Sequence, residues 1–251
     1  VKVWDIDPAL RPDTLTLEET LTGVDGVVIA TPPKSHEVLT VEAAKRGLWA
    51  MVEKPLSAAY TSDSASVFRS YRARILVAYP WRHWPPLQYV KKLLDEGHIG
   101  RVLSVSTTYG YHLNRHGPHA TRSDSYMRDL SRGGGCLLDT SHAIDYLRWL
   151  CGEITEVSGV VETRALDIQA DDCADLTMRF ASGAVGTLHL SLFLPGVTSR
   201  LEIVGSDGAV RWDRSYGVFR NGQPTLTTTL QQPDLNEMYL GEAAHFIACI
   251  R

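Results

Sequence analysis

The sequence predicts an α/β chain followed by an α+β one: an N-terminally incomplete Rossmann-type, doubly wound parallel sheet, then a domain with a large, open, mainly antiparallel sheet. Three observations predict it. Short β-rich runs alternate with helical periods as far as Tyr79, which is the rhythm of parallel strands joined by crossover helices. Beyond Arg101 apolar residues recur at period two between tight turns, the mark of half-buried strands. The 251 residues, 44% hydrophobic and 22% charged, are enough for two modest domains with cores of their own. The crossing is expected after residue 84, giving domains 1–84 and 85–251.

In chain order, Val1 to Asp5 reads as a strand closed by an acid, Glu18 to Thr22 as a short helix, and Val24 to Ala30 as a strand. Thr31-Pro32-Pro33-Lys34-Ser35-His36 follows, a loop whose prolines resist helix. Ser35 is the expected N-cap of a helix carrying Val38, Val41 and Ala44. Gly47 is its stop. The strand Leu48–Val52 then runs into Glu53-Lys54-Pro55-Leu56. A lysine at the carboxyl end of a buried strand stands where open α/β sheets hold ligands. Lys54–Pro55 is also a candidate cis peptide. The plain alternative leaves Glu53 and Lys54 as solvated loop charges. A helix over Tyr60–Tyr71, a strand over Ile75–Tyr79, the polar turn Arg82-His83-Trp84, and a helix with Leu87, Val90, Leu93 and Leu94 on one face complete the first part.

In a dinucleotide fold the acid that ends the second strand bonds the adenosine ribose hydroxyls. Asp5 is placed for that, or is a turn residue. The G-x-G-x-x-G fingerprint is absent from the sequence. The unit that carries it, roughly 20–30 residues long, is expected upstream of Val1.

In the second part, Val102–Tyr111 is rich in β-formers, and Ala174, Leu176, Met178 and Phe180 alternate with polar neighbours. A strand Val185–Phe193 follows, and Leu201–Val204 pairs with Val210–Trp212 across Ser206-Asp207-Gly208. One face of this sheet is expected to be free for another subunit. Asp234–Arg251 returns to helix. Three glycines, Gly133 to Gly135, lead into Cys136-Leu137-Leu138-Asp139-Thr140-Ser141-His142. On one continuous helix Asp139 and His142 lie about 60° apart, on an inward face with Ala143, Tyr146 and Leu150. Ser141, Asp145 and Arg148 then take the solvent side. An acid and an imidazole turned inward need partners or bear a desolvation cost, which marks them for chemistry. Taken singly, they are also readable as a helix-start charge and a core histidine. The polar stretch Tyr111–Tyr126 either lines a pocket or is solvated. His189 falls on a strand face, with no chemical partner nearby in sequence.

Composition sets further bounds. A net charge of −4 without a Lys/Arg run argues against a nucleic-acid surface. No apolar run approaches the roughly 20 residues of a membrane span, and no secretory leader opens the sequence. Cys136, Cys151, Cys173 and Cys249 are scattered without C-x-x-C spacing. They read as reduced thiols of a cytoplasmic protein, and their spacing supports no metal site or disulfide framework.

Three blocks in this order resemble the glucose–fructose oxidoreductase/inositol dehydrogenase (Gfo/Idh/MocA) family. They are Ala30-Thr31-Pro32-Pro33 with His36, then Glu53-Lys54-Pro55-Leu56, then Gly133-Gly134-Gly135 leading to Asp139, His142 and Asp145. The resemblance implies an oxidoreductase with a dinucleotide-binding domain and a substrate-binding, oligomerising domain. It implies NAD or NADP as cofactor, and a sugar, amino sugar, nucleotide sugar or cyclitol as substrate. Asp5 favours NAD, because a carboxylate repels a 2′-phosphate. A homo-oligomer, dimer or tetramer, is expected. Lys54 is implied as the catalytic lysine, with Asp139 and His142 as the acid–base pair. Asp5, Thr31, Pro32, Pro33, His36, Glu53 and Lys54 are assigned to the cofactor; Arg82, Tyr126, Asp139 and His142 to the substrate. The acid and histidine are three residues apart, where the commoner family pattern has four. Two other uses of the same fold are a transient-redox glycosidase or epimerase, and a regulator that binds nucleotide and sugar without turnover.

Overall fold

The computed structural model describes residues 2–5, 7, 16–59, 62–115, 117–227 and 234–251. Val1 and Tyr60 lie outside them. The chain forms two compact units, Val1–Ala78 with Phe246–Arg251, and Tyr79–His245. The division comes ahead of residue 84, and the last helical turn returns to the first unit.

In the first unit α1 (Leu17–Leu21) opens on a capping box, Thr16 and Glu19 each satisfying the other's backbone amide. Three parallel strands follow in the order β1 (Gly26–Ile29), β2 (Trp49–Glu53), β3 (Ile75–Ala78). The helices α2 (Pro33–Lys45) and α3 (Ser62–Tyr71) are the crossovers that parallel pairing requires. Leu21, Ile29, Ala43, Leu48, Ala50 and Val52 form the core. Two local expectations are corrected. Helix α2 starts at Pro33, whose fixed φ suits the first helical position. Ser35 is therefore inside the first turn, its hydroxyl on Thr31 Oγ1 (2.7 Å) and the Pro32 carbonyl (2.8 Å) rather than capping. Residues 2–5 belong to no assigned strand, in place of the strand expected over Val1 to Asp5. Parallel pairing places the carboxyl ends of β1, β2 and β3 side by side, so Thr31 and Lys54 follow neighbouring strands.

The second unit holds α4 (Pro85–Asp95), β4 (Val102–His112), α5 (Pro118–Thr121), α6 (Cys136–Asp139), α7 (His142–Cys151) and β5 (Ile154–Glu162). It continues with β6 (Cys173–Phe180), β7 (Val185–Ser191), β8 (Phe193–Gly205), β9 (Ala209–Asp213), β10 (Gly217–Arg220), β11 (Gln223–Thr227) and α8 (Asn236–Ile250), whose last residues belong to the first unit. One eight-stranded sheet runs β11-β10-β9-β8-β4-β7-β6-β5. Every neighbouring pair is antiparallel except β4–β7. The hairpin read across Ser206-Asp207-Gly208 is present, with Leu201 opposite Trp212 and Ile203 opposite Val210. The apolar set Ala174, Met178 and Phe180 joins Leu188, Leu190, Leu201 and Trp212 from the sheet. They share one core with Leu87 and Val90 of α4 and with Tyr146, Leu147 and Leu150 of α7. Each such leucine contributes roughly 1.5–3 kcal/mol of hydrophobic stabilisation. Asp175, Thr177 and Arg179, between the β6 core residues, are exposed.

Candidate functional site

In the first unit the strand-end loops are tied together by His36. The ring is 1% exposed, with Nδ1 2.7 Å from the Pro55 carbonyl and Nε2 2.6 Å from the Thr31 carbonyl. The imidazole thus fixes the β1 loop to the β2 loop that carries Lys54. The Lys54–Pro55 bond is cis. The Lys54 amide donates to Glu53 Oε2 at 3.2 Å, and both side chains are half-buried. Pro32 precedes α2 as its N-cap residue, and Pro33 is buried in its first turn.

A hollow of about 540 Å³ runs along β1 and is lined by Asp5, Val27, Ile29, Thr31 and Leu39, among others. It offers a carboxylate at one side, apolar walls, and a threonine at the carboxyl end of a parallel strand. Those features fit a dinucleotide: an acceptor for ribose hydroxyls, and a strand end where the ligand of such a sheet lies. Asp5 Oδ1 also accepts the Asp7 amide at 2.8 Å, which orients it.

In the second unit the glycine run does what its composition predicts. Gly133 and Gly135 have φ of 86° and 97°, where L side chains are strained. A Cβ on Gly134 would strike the Tyr126 carbonyl, and one on Gly135 the Asp171 carboxylate. The run therefore packs against Tyr126 and Asp171 and delivers Asp139 at the end of α6. The Asp139 carboxylate, 5% exposed, accepts the Tyr111 hydroxyl on Oδ2 and the Tyr126 hydroxyl on Oδ1 (3.3 Å). Burial, and then the negative charge of Asp139, push the Tyr111 phenol well above its ordinary range. It therefore keeps its proton, and its donation to Asp139, to higher pH than an ordinary phenol.

His142 opens the next helix, with the Tyr79 ring edge-on at 5.8 Å and the Tyr109 ring at 6.4 Å. The continuous helix expected from the sequence is broken at Thr140 and Ser141, so Asp139 and His142 belong to consecutive helices. This overturns the expected solvent face. Ser141 and Asp145 are buried, at 9% and 7% exposure. Asp145 receives Arg82 as a fork, Nε at 2.8 Å and Nη2 at 2.7 Å. The buried carboxylate is tolerated because the guanidinium neutralises it. Tyr79 completes the brace by donating to Ser141 Oγ at 3.4 Å. Only Arg148 of the three takes the exposed position expected for it.

Of the residues singled out in sequence, the first unit thus gathers Thr31, His36 and the Lys54–Pro55 turn. The second gathers Tyr126, Asp139 and His142, and joins Arg82 to Asp145. Sequence reading missed Tyr111, Tyr109 and Tyr79. Strand register and a turn bring them from 26 or more residues away, and no local spacing signals it. Two results are expected here. Arg82→Leu leaves Asp145 buried without its counter-charge and lowers stability by about 2 kcal/mol, less than for a fully buried pair because the Arg82 side chain is 42% exposed. Urea denaturation measures it. Tyr111→Phe removes a donor from a buried carboxylate and costs about 1–3 kcal/mol. It also removes a pH dependence. The folded phenol ionises later than the unfolded one, so wild-type stability falls as pH rises through about 10, the unfolded tyrosine value. The variant should show a shallower alkaline decline.

Sequence comparison matches two family models. One, described as the oxidoreductase family with NAD-binding Rossmann fold, covers residues 5–79; the other, the GFO/IDH/MocA C-terminal domain, covers residues 87–211. The scyllo-inositol 2-dehydrogenase (NAD(+)) of Bacillus subtilis (strain 168) is 28% identical over 247 residues, spanning 91% of this chain and 68% of that protein. The inositol 2-dehydrogenase of Rhizobium meliloti (strain 1021) is 31% identical over 206 residues, spanning 78% of this chain and 59% of that protein. Among solved structures, levoglucosan dehydrogenase in complex with NADH superposes with a TM-score of 0.79 at 23% identity. That match covers 95% of this chain and 74% of the other, and it speaks for the fold.

Proposed function

The chain belongs to the Gfo/Idh/MocA oxidoreductase family, and from that premise we propose that it transfers hydride between a hydroxyl-bearing carbon of a sugar, amino sugar, nucleotide sugar or cyclitol and a nicotinamide. The observation that carries this reading is the buried Asp139 carboxylate, held by two phenols, one turn ahead of His142. Such a polar cluster inside an apolar core needs a use.

When bound, NAD or NADP supplies the hydride acceptor. Asp5 would hold the ribose hydroxyls, which favours NAD. Thr31, Pro32, Pro33, His36 and Glu53 would hold the cofactor from the strand-end loops. His142 takes the substrate hydroxyl proton as the C–H bond breaks. The Lys54 ammonium stabilises the negative charge developing on that oxygen. Asp139 orients His142 or binds a neighbouring hydroxyl, and Tyr126 and the donors of Arg82 not engaged by Asp145 contact the sugar. The scheme requires Lys54 Nζ and the His142 ring to reach one substrate oxygen.

The test is to purify the protein at its full natural length, look for bound nicotinamide, and follow nicotinamide reduction across cyclitols, sugars and nucleotide sugars. Absence of both bound nicotinamide and turnover overturns the reading. Product without net reduction assigns the transient-redox alternative.

A homo-oligomer, dimer or tetramer, is part of the proposal. It is supported by Val157, Val160 and Val161 on edge strand β5, at 63%, 49% and 44% exposure, and light scattering checks it. None of the four cysteines is in a disulfide, which supports a cytoplasmic setting. No helix among the described residues is long and apolar enough to cross a membrane.

A further inference from the structure

We propose that Cys173, Asp175 and His189, on the sheet of the second unit and apart from Asp139 and His142, form a binding site for one divalent transition-metal ion of the zinc type. Register builds it. Cys173 and Asp175 are two apart on β6 and so share a face, and His189 of β7 is the direct cross-strand partner of Asp175. Asp175 Oδ1 lies 2.7 Å from His189 Nδ1, Asp175 Oδ2 lies 3.6 Å from Cys173 Sγ, and all three donor atoms fall within 4.8 Å of one another.

A tetrahedral ion with bonds of about 2.0–2.3 Å sets its ligand atoms about 3.3–3.8 Å apart. The carboxylate–thiol separation already has that value. The carboxylate–imidazole pair is closer because a proton is shared between them, and the ion replaces that proton. A thiol, an imidazole and a carboxylate select zinc, cobalt or nickel over magnesium or calcium.

The surroundings leave a way in. A hollow of about 530 Å³ is lined by Asp175 and His189 together with Thr177, Thr187 and Arg200. It gives the ion an entry path and its fourth position to water. Cys173 stands behind them, 2% exposed. Two neighbouring acids are already engaged: Glu162, opposite Cys173 in register, is paired with Arg164, and the Asp172 carboxylate is bound by backbone amides. As a bare ion pair His189–Asp175 would do little, with side chains 33% and 50% exposed. That leaves the convergence of a third, softer ligand without a structural purpose. The cysteine spacing in the sequence gives no hint of this site, because its ligands are assembled across two strands.

The test uses the whole chain, treated with chelator and titrated with cobalt(II) as the probe. One equivalent should produce the visible bands of a four-coordinate ion and a thiolate-to-cobalt charge-transfer band. Cys173→Ser should abolish the charge-transfer band, and His189→Ala should weaken binding by about 10-fold or more, at least the loss expected on removing a residue that only hydrogen-bonds to a ligand. Cys249→Ser should change neither. Zinc should raise the melting temperature of the wild type and not of His189→Ala, which gives a readout independent of colour. Absence of the bands in the wild type, or their persistence in Cys173→Ser, overturns the proposal.

Discussion

Replacing Lys54 or His142 by alanine should each lower kcat by about 10²-fold or more, with nicotinamide binding retained in His142→Ala. In the proposed scheme both side chains act on charge that exists only as the reaction proceeds, so their loss would fall on turnover more than on the ground-state complex. General base catalysis is worth about 10²–10⁴-fold, and a preorganised charge at a developing oxyanion about 10²–10³-fold. The fold gives each residue a reason to be well placed. Lys54 is followed by Pro55, whose carbonyl is held by the buried His36 ring. His142 begins α7 between two tyrosine rings, with the helix braced by Arg82 on Asp145. Steady-state kinetics beside nicotinamide fluorescence and circular dichroism measure the effect. Near-normal turnover in either variant removes that residue from the scheme.

Asp172→Ala should lower stability by about 3 kcal/mol, which is on the order of 10 °C in melting temperature for a chain of this size. Asp172 is fully buried. Its Oδ1 accepts the Arg164 amide at 2.8 Å, and its Oδ2 the Ala165 and Leu166 amides at 2.8 and 2.7 Å. One carboxylate thus satisfies three backbone donors of the turn after β5. Removing it leaves amides without acceptors, at about 1–3 kcal/mol for each that water cannot reach. The effect should extend to the site. The adjacent Asp171 holds the start of α6, its carbonyl on the Cys136 amide and its Oδ2 on the Leu137 amide, both at 2.8 Å. Helix α6 ends in Asp139. Calorimetry tests the first part. A melting temperature within about 2 °C of wild type would contradict it. Asp172→Asn, which keeps one acceptor, should fall between.

Period and punctuation were enough to place most elements. The apolar alternation of β6, the hairpin between β8 and β9, and the proline in the first turn of α4 report short-range geometry, which a local pattern captures. Boundaries moved where side-chain patterns do not reach: the N-cap of α2 lies three residues before the one expected, and β8 begins at Phe193 rather than Leu201. Ser35 looked like a cap, but the preceding proline could already start the helix. The run from Asp139 to His142 looked like one helix, because a two-residue break at Thr140–Ser141 leaves the apolar period on either side intact.

By itself the sequence determined the order of parallel and antiparallel elements, the special turn after β2, and the glycine run before Asp139. Each of these is written in consecutive residues. Only the tertiary structure decided which groups those residues face: His36 against two carbonyls, Tyr111 against Asp139, Arg82 against Asp145, and Cys173 with Asp175 beside His189. Those partners are 14 to 63 residues apart in the chain, apart from the Thr31–His36 and Cys173–Asp175 contacts. They meet because strand register and helix packing fix distances that sequence spacing does not encode.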